Sequence, residues 1–151
     1  MIALAASLLS PAMAVQHSAA AGERQAFWLW SGVKPTDALR SAQVVYVHQG
    51  DVVIASGQAE FERKGLPVSR LTFPHIWLTV RFTTLDVPDP MLDRLNRLLM
   101  RWQAAGNSLV GLQVDFDAGT HNLADYAQFL HRLRARLPTV FALGVTGLLD
   151  W

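Results

Sequence analysis

The segment "HIWLTVRFTTLDVPDPMLDRLNRLLMRWQAAGNSLVGLQVDFD", residues 75–117, decides the fold class because it contains two strand patterns separated by a helix pattern. Residues 75–84 and 109–117 are short apolar runs rich in β-branched and aromatic side chains, which is typical of strands. Between them, apolar residues recur three or four positions apart and predict one buried stripe of a helix, made of Met91, Leu92, Leu95, Leu98, Leu99 and Trp102. Such a unit predicts two parallel strands joined by a right-handed crossover.

Boundary residues mark this helix and a second one. Asp89 is the expected N-cap before Pro90, and Gly106-Asn107 predicts the end. In the second helix, Asn122 is the expected N-cap, and Asp125 follows three residues later, close to a capping box. Its apolar stripe comprises Leu123, Tyr126, Ala127, Leu130, Leu133 and Leu137, and Pro138 ends it.

Three further strands are predicted at residues 26–30, 43–49 and 141–151. Residues 50–57 are expected to form a hairpin arm, Thr36 caps a short helix, and residues 58–72 are expected to be loop. The class is therefore α/β, with about five parallel strands and intervening helices. Both an open doubly wound sheet and the start of a (β/α)₈ barrel fit this order.

We favour an incomplete (β/α)₈ TIM-type barrel. The sequence stops directly after a strand, at Asp150-Trp151, and a complete barrel usually needs about 250 residues. Residues 26–151 are expected to be the N-terminal part of a single barrel domain that is truncated at its C-terminus.

The first 25 residues suggest export. An apolar run, Ile2 to Leu9, precedes Ala12-Met13-Ala14, which resembles a signal-peptidase site, although no Lys or Arg comes before the run. We expect residues 1–14 to be a signal-peptide-like segment, residues 15–25 a flexible lead, and the protein to be periplasmic or in the cell envelope. The alternative is an apolar extension with no targeting role.

Composition excludes several classes of function. The chain has 151 residues with a net charge of +1, which gives no electrostatic reason to expect a nucleic-acid partner. It has no cysteine, so thiolate catalysis and Cys-ligated zinc are excluded. The histidines lack metal-ligand spacing, and there is no G-x-S-x-G elbow or P-loop. No cofactor, no metal and no membrane span in the mature chain are expected.

Polar and aromatic residues are predicted to converge at the carboxyl ends of the strands. Residues two apart on a strand share a face, so Gln113, Asp115 and Asp117 point together, with Leu112 and Val114 on the opposite face. Arg81 should lie beside the aspartates. The expected catalytic residues are Asp117, Asp115 and Gln113, and the expected substrate-binding residues are Trp28, Trp30, His48, Arg81 and Asp150.

Asp115 and Asp117 are expected to be about 6.6 Å apart along the strand. Two carboxylates at that distance repel, so the pKa of one should rise, as a general acid requires. The alternative is that Asp117 only accepts hydrogen bonds from loop amides, because D-x-D at a strand end is common. Trp28 and Trp30 could stack on a sugar ring or simply belong to the core.

"VGLQVDFDA", "LADYAQFLHRLRARLP" and "TGLLDW" resemble the bacterial family called domain of unknown function 3142, from Phe27 to Trp151. The resemblance implies a (β/α)₈ barrel distantly similar to glycoside hydrolases. The fourth strand also resembles, more weakly, the D-G-x-D-x-D-x-E motif of chitinase-like hydrolases. Asp117 then stands where that motif has its acid glutamate, and Gln113 replaces one acid.

Three other functions compete with hydrolysis as interpretations of these residues. "DFDAGT" resembles the D-x-D-x-[TV] motif of haloacid dehalogenases, but Gly119 occupies the fourth position after Asp115 and Thr120 follows one residue late. A D-x-D metal site of a glycosyltransferase has no accompanying nucleotide pocket signature. The serious alternative to hydrolysis is a non-catalytic barrel that binds a saccharide through its aromatic residues.

Overall fold

The computed structural model describes residues 26–32, 37–117 and 122–146. Its strands and helices, in chain order, are β1 Ala26–Leu29, a short 3₁₀ helix Asp37–Ser41, β2 Val44–Ala55, β3 Gln58–Arg63, β4 His75–Phe82, α1 Asp89–Ala104, β5 Leu109–Asp115, α2 Leu123–Arg136 and β6 Ala142–Val145. The expected signal-like segment, the flexible lead, the Thr36 cap and Asp150 lie outside the described residues.

The strands form one sheet in the order β1-β2-β4-β5-β6, with β3 attached to β2. Every neighbouring pair along that path is parallel, whereas β2 and β3 form an antiparallel hairpin. The prediction of an α/β fold with five parallel strands is therefore confirmed. In a doubly wound sheet the order of the strands reverses partway across the sheet. The parallel strands here follow their order in the chain without such a reversal.

The prediction that residues 58–72 are loop was wrong for β3. Ser56 and Gly57 both have positive φ, 51° and 78°, which is the backbone of a tight hairpin turn. Alternate residues Ala59 and Phe61 pack against the core while their neighbours are exposed. The expected hairpin arm thus became part of one long strand, β2, and β3 is the returning arm. The described residues 64–74, between β3 and β4, contain no helix, so helices do not intervene between every pair of parallel strands.

Both helices pack on one side of the sheet. The expected α1 stripe is confirmed, because five of its six residues are buried and Met91 packs against them. In α2, Tyr126, Leu133 and the following Leu137 are buried as expected, but Leu123 and Ala127 are exposed. Phe129, which the sequence reading left out, is 2% exposed. It lies three residues after Tyr126 and four before Leu133, so it belongs to the same helix face.

The expected helix caps differ in detail. Pro88, not Asp89, is the N-cap residue of α1, with no side-chain capping bond. Asp89 lies in the first turn and forms ion pairs with Arg132 and Arg136 of α2. Asn122 is the N-cap residue of α2, as expected, but its side chain makes no capping bond. Contacts between the two helices therefore replaced the cap expected at Asp89.

The sheet curves away from the helices. On a flat sheet β1 and β5, three strand spacings apart, are separated by about 14 Å. Trp28 Nε1 of β1 nevertheless lies 3.3 Å from Gln113 Oε1 of β5. Long side chains close part of this gap, and curvature of the sheet toward the face that carries both residues closes the rest. Neither α1 nor α2 covers this face, which we call the inner face.

Gly111 lets β6 approach β5 closely. A Cβ on Gly111 would lie 1.9 Å from the carbonyl oxygen of Ala142, so β6 would have to move. We expect Gly111→Ala to reduce the free energy of unfolding by about 2 kcal/mol, measured by urea denaturation. Gly57→Ala is the matched control: no heavy atom lies within 4 Å there, and only its left-handed backbone adds about 1 kcal/mol of strain. An equal or smaller loss for Gly111→Ala would contradict the close approach.

Candidate functional site

Strand register divides the sheet into two faces as the alternation predicted. Leu78, Val80, Leu112 and Val114 face the helices and are fully buried. The intervening residues form rows across the inner face, because residues paired in a parallel register point the same way. One row holds Trp28, Tyr46, Trp77, Gly111 and Ala142. The next row toward the carboxyl ends holds His48, Thr79, Gln113 and Gly144.

Three aromatic rings overlap on the inner face. Trp28 stacks on Tyr46 with ring centroids 4.5 Å apart and planes 7° apart, and Tyr46 lies 6.0 Å from Trp77. Trp77 in turn covers Gly144 on β6, where a Cβ would come within 3.1 Å of its ring. Trp28 is 46% exposed although Tyr46 covers one of its faces, so its other face is open to solvent.

Gln113 ties this aromatic stack to the sheet. Its side-chain oxygen accepts hydrogen bonds from the Thr79 hydroxyl at 2.9 Å and the Trp28 indole at 3.3 Å. Gln113 is only 6% exposed, and both contacts use the same oxygen. Gln113 therefore holds the indole of Trp28 across the inner face, and its expected catalytic role stays a prediction.

Charged residues gather at the carboxyl ends of β4 and β5. Asp115 accepts a hydrogen bond from the Thr146 hydroxyl at 2.8 Å and pairs with Arg81 in the strand register. Arg81 Nη2 also lies 3.9 Å from Asp117 Oδ2. The side chains of that ion pair are 53% and 75% exposed, so it contributes at most about 1 kcal/mol to stability.

The surroundings of Asp117 lack the burial that is typical of a general acid. A general acid at neutral pH needs burial or a negatively charged neighbour, whereas Asp117 is exposed and lies beside a guanidinium. The expected rise in the pKa of one aspartate of the pair stays a prediction. Burial raises the pKa of the nearby Tyr126 to about 12, and the negative charge of Asp115 contributes to this increase.

A β-bulge in β2 brings a second polar cluster to the inner face. The register between β2 and β4 shifts between His48 and Gly50, so one extra residue, Gln49, is accommodated. Gln49 points to the helices, where its oxygen accepts a hydrogen bond from Trp102 Nε1 at 2.9 Å. His48 and Asp51, three residues apart, consequently share the inner face, and His48 Nε2 lies 2.9 Å from Asp51 Oδ1.

The loop after β3 closes over this bulge. The backbone amides of Lys64 and Gly65 both donate to the Gln49 carbonyl at 3.1 Å, and Lys64 Nζ lies 2.5 Å from Asp51 Oδ2. Gly65 is required because a Cβ there would lie 1.8 Å from the His48 carbonyl oxygen. On the other side, His48 Nδ1 lies 3.0 Å from Ser31 Oγ.

Asp51 is held in its charged form within this cluster. Burial alone would raise its pKa, but hydrogen bonds and charge from Lys64 and His48 outweigh burial and hold the pKa below its ordinary value of 3.8. Sequence reasoning placed His48 at the site but missed Ser31, Asp51 and Lys64. The available signal was Gly50, because a glycine inside a strand pattern suggests a bulge.

A match to a family model covers the second half of the chain. Residues 70–151, more than half of the sequence, match the family described as Domain of unknown function (DUF3142). The chain belongs to this family. The match includes β4, β5 and the aspartate pair, whereas Trp28, Trp30 and His48 lie outside it.

No curated protein and no solved structure matches the DUF3142 chain. The likeness to chitinase-like hydrolases therefore rests on the residues of β5 alone. Within the part of the chain that the structure describes, no three His, Cys, Asp or Glu side chains group as a metal site. None of the described helices is long and apolar enough to cross a membrane.

Replacement of Asp51 tests the charged cluster. Because the pKa of Asp51 is lowered in the folded protein, its contribution to stability is present above its unfolded pKa and is lost as the pH falls through the folded pKa. We expect Asp51→Asn to lose about 2 kcal/mol at pH 7 in urea denaturation, and the difference from the parent to shrink below about pH 4.

Asp37→Asn is the control for this pH dependence, because Asp37 and its partner Arg40 are both almost fully exposed. It should show little change at either pH. A deficit of Asp51→Asn that stays constant from pH 7 to pH 2 would contradict the linkage.

Proposed function

We propose that this DUF3142 domain binds a carbohydrate on the inner face of its sheet. The single observation that carries the proposal is the open face of Trp28, fixed from below by Tyr46 and at its edge by Gln113. A rigid indole presents a flat apolar surface of the kind that packs against the C–H face of a sugar ring. Rigid placement also limits the entropy lost when a ligand binds.

Polar groups near the indole suit sugar hydroxyls. Asp115 lies two residues beyond Gln113 on the same face, about 6.6 Å further along β5, and Arg81 and Thr146 lie beside it. Trp30, 37% exposed, lies near His48 with ring centroids 4.8 Å apart. Apolar surface bordered by a few fixed donors and acceptors is typical of small-ligand sites.

We also propose that the sheet is an arc of a (β/α)₈ barrel. Two observations support this: the parallel strands follow chain order, and the sheet curves enough for Trp28 to contact Gln113. In a barrel the carboxyl ends of the strands form the ligand-binding mouth, which is where Asp115 and Asp117 lie. Export to the periplasm or cell envelope, expected from residues 1–14, belongs to the same proposal.

Glycoside hydrolysis is the second candidate function. The observation that favours it is the pair of carboxylates, Asp115 and Asp117, at the carboxyl end of β5, with Asp115 oriented by Thr146. Hydrolysis requires one carboxyl group to protonate the leaving oxygen. Asp117 has that role in the proposal, and a bound sugar that displaces water and Arg81 would supply the burial that Asp117 lacks without ligand.

Trp28→Ala tests carbohydrate binding. We expect at least a tenfold weaker Kd, about 1.4 kcal/mol, for any oligosaccharide that quenches tryptophan fluorescence in a panel built from glucose, N-acetylglucosamine, xylose and galacturonate. Trp28→Phe should lose less, because it retains an aromatic face. Val140→Ala, at an exposed position in the turn before β6, should bind as the parent does. Equal binding by Trp28→Ala and the parent would refute the proposed platform.

Asp117→Asn separates hydrolysis from binding. If the domain is a hydrolase, release of reducing ends should fall at least 100-fold, because the amide has no proton of suitable acidity to donate, while binding persists. Asp37→Asn, an exposed aspartate on the 3₁₀ helix, should retain activity. If the parent hydrolyses none of the sugars that it binds, the hydrolase proposal is refuted and only the binding function remains.

A further inference from the structure

We propose that Ser31, His48 and Asp51 form a nucleophile–base–carboxylate relay that hydrolyses short-chain carboxylic esters. The three side chains form one hydrogen-bonded chain, with Ser31 Oγ 3.0 Å from His48 Nδ1 and His48 Nε2 2.9 Å from Asp51 Oδ1. The lengths and the Ser–His–Asp order are those that activate a serine in unrelated hydrolase folds. The ring nitrogens are exchanged relative to the usual triad, because here Nδ1 faces the serine and Nε2 faces the carboxylate. The inference rests on a separate observation from the Trp28 platform, although His48 and Trp30 border both sites.

The charged state of Asp51 fixes the tautomer of His48. An ionised carboxylate only accepts hydrogen bonds, so His48 Nε2 must carry the proton that it donates to Asp51. In the neutral imidazole, Nδ1 is then an acceptor that faces the Ser31 hydroxyl. The base is therefore already oriented toward the nucleophile, and burial of its side chain, which is only 7% exposed, holds that orientation.

Asp51 is in turn fixed by Lys64. The ammonium group contacts Asp51 Oδ2, which leaves Oδ1 for His48. The side chain of Asp51 is 14% exposed, and an anion with so little contact with water needs such partners. The bulge at Gln49 places His48 and Asp51 on the same face. Gly65 lets the loop that carries Lys64 pack closely against the His48 backbone. The relay therefore depends on backbone geometry as well as on side-chain contacts.

Ser31 is accessible to a substrate. It is exposed and lies two residues after the end of β1. Gly32 has a φ of 81°, so the chain turns sharply after the nucleophile. Ser31, His48 and Lys64 line one cleft of about 180 Å³, together with Leu29, Trp30 and Leu66. This volume is below the 300–1,000 Å³ of pockets for drug-sized ligands, so it suits a short acyl group against a partly apolar wall.

The reaction balances with water as the only co-reactant. Ser31 Oγ attacks the ester carbonyl while His48 Nδ1 takes the hydroxyl proton, and the tetrahedral intermediate collapses as that proton passes to the departing alcohol. Water then attacks the acyl-serine, again with its proton going to His48. The acid is released and Ser31 recovers its hydroxyl. Asp51 is a positioning residue that stabilises the imidazolium formed in both steps.

Hydrolysis of p-nitrophenyl acetate tests the relay without any sugar present. We expect turnover by the full chain, and at least a 100-fold lower kcat for Ser31→Ala and for His48→Gln. Ser108→Ala is the matched control, because Ser108 is exposed at the opposite end of the sheet, before β5. Asp51→Asn should lower kcat more than it raises KM, and Asp51→Glu should recover part of kcat.

Covalent labelling gives a second readout that needs no turnover. A fluorophosphonate should modify Ser31, identified by peptide mass spectrometry, and His48→Gln should abolish the labelling while the circular dichroism spectrum stays that of the parent. The proposal is overturned if the parent neither hydrolyses the ester faster than Ser31→Ala nor carries label on Ser31. In that case the cluster only joins β1 to β2. Failure of the oligosaccharide panel would leave this outcome unaffected.

Discussion

The extra residue at Gln49 is the constraint on which both faces of the sheet depend. Its side chain faces the helices and accepts a hydrogen bond from the fully buried Trp102. Its carbonyl receives two amides from the loop after β3. Because the bulge adds one residue, His48 and Asp51 point to the same face instead of opposite ones. A bulge commonly changes the direction of side chains beside functional sites. Here the same residue that contacts Trp102 of α1 also sets the orientation of His48 and Asp51 on the inner face.

The second organising feature is the sequential order of the parallel strands. Each strand lies beside the next parallel strand in the chain. Right-handed crossovers therefore place α1 and α2 on the same side of the sheet, and neither helix covers the other face. The sheet curves toward that inner face, which gathers the aromatic stack of Trp28, Tyr46 and Trp77 with Gln113. Two glycines leave room for this packing on the inner face. A Cβ at Gly111 would clash with the β6 backbone, and a Cβ at Gly144 would crowd the ring of Trp77.

Local patterns predicted the elements that have strong periodicity. The α1 stripe and the faces of β5 followed directly from spacing, because burial of one face against a core imposes a fixed repeat. The strand β3 was missed because its sequence is polar and its partner is the extension of β2, so its pairing is not visible in its own composition. The N-cap at Asp89 was misassigned because arginines on α2 pair with that carboxylate, a contact between helices that local spacing does not encode.

The sequence by itself determined the α/β class, the parallel strands and the alignment of Gln113 with Asp115, because these follow from periodicities of two and 3.6 residues along one segment. The strand ends at Asp115, so the alignment expected for Asp117 stays a prediction. Tertiary structure alone decided that the side-chain oxygen of Gln113 accepts hydrogen bonds from Thr79 and Trp28. It also decided that Ser31, His48 and Asp51 form one hydrogen-bonded chain. Those contacts depend on sheet curvature and on a shift in register between neighbouring strands. Both are set by how distant segments pack, and the alternation of residues within a strand does not specify them.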